Sequence, residues 1–292
     1  MGVIHIKNIT KYYGTVCALN NLALTIEENK IYGLLGRNGA GKTTLLNLIT
    51  NRLFPTEGEI TVDNESVSGN DSALGKMFYM TEKSLYPEGM KVKDIFKWTK
   101  EFYPSFDREY AEVLCNKFEL NLNKKVRSLS TGYSSIAKLI TALASNAEIL
   151  IFDEPVLGLD AHHRDLFYKE LLANYIQKPK TIILSTHIIE EIADILERVI
   201  ILKDRQVTVD DTVENLTGRA FCVSGPSGNV ESYIKGRKCI HVDHLNSFEE
   251  ATVMGEITGS DREQAKELNL ELSKVKLQKL FVYLTGKGGE ER

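Results

Sequence analysis

The sequence predicts an α/β protein built on a buried parallel sheet. Short apolar or β-branched runs alternate with helical stretches, several of those runs are apolar throughout, and one of them passes through a glycine-rich turn straight into a helix. Residues 3–9 and 22–26 read as strands, 31–35 (Ile-Tyr-Gly-Leu-Leu) as a fully buried strand, and 43–51 as the helix that follows it. Further buried strands are expected at 149–152, 181–184 and 199–202. A helix beginning near Ala161 places Tyr168, Leu171, Leu172 and Tyr175 on one face, at i, i+3, i+4 and i+7.

Two regions break this alternation. From about residue 91 to 145, Trp98, Phe102, Phe106, Tyr110, Leu114 and Phe118 recur at helical spacing, which predicts a helical insertion whose aromatics mostly pack a core. Near Gly218 the pattern changes again. Glycine and serine cluster in Gly225-Pro226-Ser227-Gly228, and the weaker alternating runs at 239–242 and 251–257 predict a small α+β appendage over residues 218–292. Within it Ser260-Asp-Arg-Glu263 has the pattern of a capping box, Leu277, Leu280, Phe281 and Leu284 form one apolar helical face, and the tail from Lys287 is expected to fray.

Composition narrows the function. With 42% hydrophobic and 26% charged residues the chain is neither fibrous nor disordered, and a formal net charge of −4 is too weak a field for binding nucleic acid by bulk charge, so no nucleic-acid partner is expected. Cys17, Cys115, Cys222 and Cys239 lie far apart with no CxxC pair, and read as reduced, mostly buried thiols. The N-terminus lacks a secretory h-region. The longest uncharged stretch, residues 12–26, carries Asn20, Asn21 and Thr25 and does not suit a bilayer; a membrane role would need another chain.

The chemistry is concentrated in Gly36-Arg37-Asn38-Gly39-Ala40-Gly41-Lys42-Thr43, a G-x-x-x-x-G-K-[ST] phosphate loop between a buried strand and the helical run from Thr44. Such a loop curls so that successive N–H groups and the helix N-terminus face phosphate oxygens; Lys42 reaches the β and γ phosphates and the Thr43 hydroxyl ligates Mg²⁺. A matching second half is Ile149-Leu-Ile-Phe-Asp153-Glu154, an apolar strand ending in two carboxylates where open α/β sheets bind ligands. Alone, that acid pair would read as a cap on the next helix. With Lys42 upstream, Asp153 is expected to hold Mg²⁺ through water and Glu154 to orient or deprotonate the attacking water.

With these motifs the chain resembles the ATP-binding cassette (ABC) ATPases over residues 1–217, in particular the nucleotide-binding subunits of bacterial exporters. The fold implied is a P-loop NTPase cassette with a helical subdomain at about 91–145, followed by the α+β appendage. In Lys11-Tyr12-Tyr13-Gly14, Tyr13 matches the family's adenine-stacking ring, with a core role the alternative. Leu129-Ser130-Thr131-Gly132-Tyr133 stands where the family has its Leu-Ser-Gly-Gly-Gln signature; Ser130 and Gly132 are kept, Thr131 and Tyr133 depart. Leu157-Gly-Leu-Asp160 is similar to the D-loop, and His187 after residues 181–186 to the switch histidine that senses the γ-phosphate. Tyr79-Met-Thr-Glu82 occupies the Q-loop position, with Glu82 in place of glutamine as a Mg²⁺ contact.

The resemblance implies that phosphate loop residues 36–44, Tyr13 and Glu82 bind ATP with Mg²⁺. It also implies that Ser130, Gly132 and Asp160 meet the nucleotide of a second ABC subunit, identical or different. Hydrolysis by Glu154 and His187 would power a membrane-spanning permease subunit from the cytoplasmic face of the membrane, in the manner of exporters of drugs, antimicrobial peptides or lipids. Two alternatives are a soluble ABC switch without a membrane partner and a low-turnover regulatory ATP-binding subunit.

Overall fold

In the computed structural model, which describes residues 2–83 and 85–286, β1 (Ile4–Tyr13) and β2 (Val16–Ile26) form a long antiparallel hairpin. Both strands are longer than their apolar runs. Asn8 and Asn21 take left-handed backbone conformations (φ 51° and 47°), and the register shifts on either side of Ile9 let pairing resume beyond the bulge. β4 (Glu57–Val62) and β5 (Glu65–Ser66), which the hydrophobic pattern does not announce, complete a sheet of order β2-β1-β4-β5.

The second sheet carries the buried strands. β3 (Ile31–Gly36), β6 (Met77–Met80), β7 (Ile149–Asp153), β8 (Thr181–Ser185), β9 (Arg198–Lys203) and β10 (Gln206–Thr212) lie in the order β10-β9-β3-β8-β7-β6. The β3–β8, β8–β7 and β7–β6 pairs are parallel, and every residue of β3, β7 and β8 is buried. Unbroken apolar runs are what a sheet covered on both faces requires. Ser185 is the register partner of both Leu34 and Asp153, so the C-terminal ends of β3, β7 and β8 are level. Between the sheets α1 (Lys42–Ile49) inserts Leu45, Leu46, Leu48 and Ile49 into one core with Ile4, Ile6 and Ile9 of β1 and Ile149 and Ile151 of β7.

After α2 (Asp71–Gly75) and β6, the helical insertion holds α3 (Val92–Phe102), α4 (Arg108–Lys117) and α5 (Thr131–Ala144). Its aromatic stripe divides. Phe106, Leu114 and Phe118 are buried, but Trp98 and Phe102 are 53% and 74% exposed, because α3 turns Val92, Ile95, Phe96 and Thr99 inward at the same helical spacing. α6 (Ala161–Gln177) is rotated from the expected face: Phe167, Tyr168, Leu171 and Asn174 are buried, and Tyr175 donates its hydroxyl proton to the Asn29 carbonyl at 2.7 Å.

A second compact unit gathers Ile188–Val199 with the chain from Asp211 onward, whereas the first holds residues 2–187 and Ile200–Asp210. Its elements are α7 (Ile189–Ile192), α8 (Val213–Gly218), β11 (Ala220–Pro226), α9 (Ser227–Ile234), β12 (Cys239–Leu245), β13 (Phe248–Met254), α10 (Gly259–Glu267), β14 (Glu271–Lys274) and α11 (Leu277–Thr285). The antiparallel order β12-β13-β11-β14 with a βαββαβ sequence is the ferredoxin-like arrangement. Phe221, Val223, Val230, Tyr233, Ala251, Val253 and Ala265 form its core. The capping box here is Thr258 with Asp261, two residues before the Ser260–Glu263 pair. Asp261 receives the Thr258 N–H at 2.8 Å and hydroxyl at 2.6 Å, and with Arg237 at 2.6 Å its carboxyl is held down at about 2. All four cysteines are free; Cys115 and Cys222 are buried, Cys17 and Cys239 half-buried. The expected fraying from Lys287 concerns residues outside those described.

One buried charge stands out in the first unit. Lys180, 3% exposed at the start of β8, has no hydrogen-bond partner for its ammonium among the described residues, and burial pulls it down to about 8. The unfolded chain therefore binds the extra proton between about pH 8 and the ordinary 10.5, and the protein gains stability as pH rises through that window. Lys180→Met is expected to raise the melting temperature at pH 7 and to flatten the rise between pH 8 and 10; a lower melting temperature at pH 7 would contradict this account.

Candidate functional site

The phosphate loop follows β3 and closes on itself: the Ala40 N–H donates to the Arg37 carbonyl at 3.0 Å, and the Lys42 ammonium donates to Gly36 O at 2.7 Å and reaches Arg37 O at 3.4 Å. Gly41 caps α1 with φ 103°, a conformation L side chains rarely adopt, and a Cβ there would lie 2.7 Å from Leu19 Cδ2 and 3.0 Å from the Ala18 carbonyl. No side chain caps this helix. Its first N–H groups are thus left for an anion. Arg37, Asn38, Gly39 and Thr43 are exposed, Ala40, Gly41 and Thr44 half-buried, and Lys42 buried. Burial pulls the Lys42 amine below the usual lysine range, opposed by the charges of Glu154 and Asp153.

Because the strand ends are level, Asp153 meets Thr43 directly: the Thr43 hydroxyl donates to Asp153 Oδ2 at 2.8 Å. Tyr79 on β6 donates to the same oxygen at 3.3 Å, with the Arg52 guanidinium 4.8 Å from its ring centroid. The sequence named Tyr79 only as the start of the Q-loop segment bearing Glu82 and gave it no role at Asp153. Burial beside Asp153 pushes its phenol well above the usual range, so it remains a donor. Glu154 has φ 50°, a strained backbone for a non-glycine residue, fixed by its N–H donating to Ser185 O at 2.8 Å. His187 donates from Nδ1 to Glu154 Oε2 at 2.8 Å. Lys42, Thr43, Asp153, Glu154 and His187 therefore converge at one sheet edge.

The remaining candidates lie in other groups. Tyr13 is 47% exposed with Lys11 5.4 Å from its ring centroid, and Tyr12 is 44% exposed, so neither is a core tyrosine. Ser130 caps α5, its Oγ accepting the Tyr133 N–H at 3.2 Å, which leaves the hydroxyl proton to donate elsewhere. Gly132 is required by close approach, since a Cβ would lie 2.7 Å from the Gly158 carbonyl. The signature and D-loop segments thus pack on each other. Asp160 caps α6 and accepts from the His163 N–H and Nδ1, both at 2.9 Å, which holds its carboxyl below the usual range. His163 stacks on Phe118, with the Tyr133 ring edge-on to it, each at 6.2 Å; the Asp-x-x-His spacing was its signal in the sequence. Glu82 is exposed, and it is its backbone that the structure fixes: Lys138 donates to Thr81 O at 2.9 Å and Glu82 O at 2.5 Å.

The donor set suits Mg²⁺ carried on a nucleotide. Thr43 and Asp153 offer hard oxygens, and the Ser185 hydroxyl, register partner of Asp153, is buried with no partner among the described residues, a polar group ready for a hydrated ion. A cleft of about 840 Å³ lies beside this region, lined by Arg52, Thr81, Tyr86, Trp98, Phe102 and Lys138 among others.

An open parallel sheet with a glycine-rich loop, a buried lysine and a strand-end carboxylate defines a P-loop nucleotide-binding protein. The ABC transporter family model matches residues 19–157. The ABC transporter ATP-binding protein YtrB of Bacillus subtilis (strain 168) is 30% identical over 206 residues, 70% of either chain. The ribose import ATP-binding protein RbsA 2 of Rhizobium etli is also 30% identical, with 74% of this chain matched to 46% of that one. Among solved structures, the dimeric post-hydrolysis state of the cassette MJ0796 bound to ADP and Pi has a TM-score of 0.65 at 27% identity, covering 72% of this chain and 98% of that one. The chain belongs to the ATP-binding proteins of ABC transporters and is an ABC-type ATPase.

Gly41→Ala tests the loop. Strain at φ 103° with contact to Leu19 and Ala18 is expected to destabilise the fold by about 1 kcal/mol or more, read as a lower melting temperature, and to weaken ATP binding in a titration. Wild-type affinity in the variant would show that the loop tolerates the side chain.

Proposed function

We propose that this chain is a nucleotide-binding subunit that holds Mg-ATP against a second ABC cassette and, by hydrolysing it, drives a separate membrane-spanning permease in the export direction. The observation that carries the reading is the convergence of Lys42, Thr43, Asp153, Glu154 and His187 at one sheet edge. The loop N–H groups and Lys42 hold the phosphates. Mg²⁺ entering with ATP would be held by Thr43 and Asp153, with Glu82 as a further oxygen ligand, and neutralises phosphate charge. Glu154 takes a proton from the attacking water, and His187 keeps the carboxylate turned toward it and contacts the γ-phosphate. Tyr13 stacks on adenine.

Ser130, Gly132 and Asp160 form a second surface that serves the nucleotide of the partner cassette, with Ser130 donating its free proton. Residues 1–217 act as the cassette and 218–292 as an accessory domain. Docking of the permease in the cleft beside Trp98 and Phe102 would hold the subunit at the cytoplasmic face of the membrane. Export is favoured by the resemblance of the cassette to exporter subunits.

Glu154→Gln is expected to bind ATP within a few-fold of wild type while turnover falls about 10²–10⁴-fold, and to elute as a dimer when ATP is present. Undiminished turnover would remove Glu154 from catalysis, and an ATP-loaded monomer would remove the sandwich. Pull-down of the tagged chain from solubilised native membranes is expected to bring a polytopic protein in fixed stoichiometry. Recovery of soluble partners alone would instead mark a soluble switch.

A further inference from the structure

Glu82 departs from the glutamine expected at its position, and the structure supplies a counterpart that the motifs do not mention. Lys138 projects from the middle of α5, is 6% exposed, and spends its ammonium on two backbone carbonyls of the neighbouring loop, Thr81 O at 2.9 Å and Glu82 O at 2.5 Å. One helical turn further along the same face, Thr141 is fully buried, its hydroxyl donating to Ala137 O at 2.7 Å, and it neighbours the Tyr86 hydroxyl at the far end of the loop. Within the loop, the Thr81 hydroxyl donates to Lys83 O at 2.8 Å. The N-terminus of that helix, about 12 Å along its axis from Lys138, bears Ser130 and Gly132.

We propose that Lys138 is a positioning residue of the ATPase cycle, clamping the loop that carries Glu82 onto α5 so that this loop and the Ser130–Gly132 segment move as one body. Glu82 is the other half of the device. A buried ammonium is costly without negative charge nearby. Burial pulls Lys138 below the usual lysine range and the Glu82 carboxylate pushes it back up, whereas glutamine at 82 would leave the ammonium with carbonyl dipoles only. The loop and Lys138 also line the cleft beside Trp98 and Phe102, so a shift of α5 is carried to the cleft wall. The functional consequence rests on the proposed roles of Glu82, Ser130 and Gly132; the clamp itself does not.

The experiment compares the full-length wild type with Lys138→Met, Lys138→Arg, Glu82→Gln and the Lys138→Met/Glu82→Gln double variant. Trypsin cleavage after the exposed Lys83 reports release of the loop. In Lys138→Met, cleavage there is expected to quicken about tenfold with other sites unchanged, kcat to fall about tenfold, and KM for ATP to stay within about threefold. Lys138→Arg restores protection. In the double variant the two losses are less than additive, because each single change already removes the interaction between the two side chains. Unchanged Lys83 cleavage in folded Lys138→Met overturns the clamp, and strictly additive effects overturn the pairing with Glu82. Should Lys138→Met fail to fold, Lys138→Gln, which keeps a polar group but shortens the reach to Thr81 O and Glu82 O, is expected to speed the same cleavage, and unchanged cleavage there counts equally against the clamp. A Mg²⁺ titration of Glu82→Gln turnover separates the two readings: an unchanged requirement removes Glu82 from the metal and leaves the protease result to decide the clamp.

Discussion

Parallel pairing of β3, β7 and β8 is the constraint from which the site follows. Parallel strands must share a direction, so all three release their chains at the same edge, and Ser185 as common partner of Leu34 and Asp153 brings those exits level. From the three exits come the phosphate loop, the acid pair and the segment ending in His187. A slip of one residue in β7 would turn Asp153 to the opposite face of the sheet and remove it from Thr43. The burial of every residue in these strands opposes such a slip, because each side chain is fitted against a helix or the hairpin sheet.

Electrostatics then sets the character of the edge. Lys42 is buried in a place where its charge is disfavoured, and Asp153 and Glu154 are the groups that offset this. Glu154 is held at φ 50° by its bond to Ser185, a strain that the sheet maintains and that keeps the carboxylate on His187. Two hydroxyls, from Thr43 and Tyr79, converge on one oxygen of Asp153. The edge is therefore organised by the protein itself, and phosphate meets groups already oriented.

The departures from family motifs have local physical partners. Thr131 lies against Gly158, its methyl 3.1 Å from where a Cβ there would stand, and Tyr133 sets its ring against His163, which in turn holds Asp160. Glu82 is matched by Lys138. In each case a change in one loop is answered from a segment distant in sequence, as close-packed interiors demand.

By itself the sequence determined the elements whose signal is local. Unbroken apolar runs marked β3, β7, β8 and β9, the glycine spacing with Lys42 and Thr43 marked the phosphate loop, and the strand-end pair marked Asp153 and Glu154, because burial and turn geometry write themselves into neighbouring residues. Tertiary structure decided what depends on distant neighbours. Met77–Met80 is a strand only because β7 lies beside it, and the hairpin strands run past their apolar stretches because Asn8 and Asn21 bulge against each other's strand. Trp98 and Phe102 face outward because another face of α3 was the one covered. The capping box moved to Thr258 and Asp261, where Arg237 supplies the charge. Tyr79 and Lys138 joined the site for the same reason: no motif spacing names the role of a residue whose partner is brought to it only by folding.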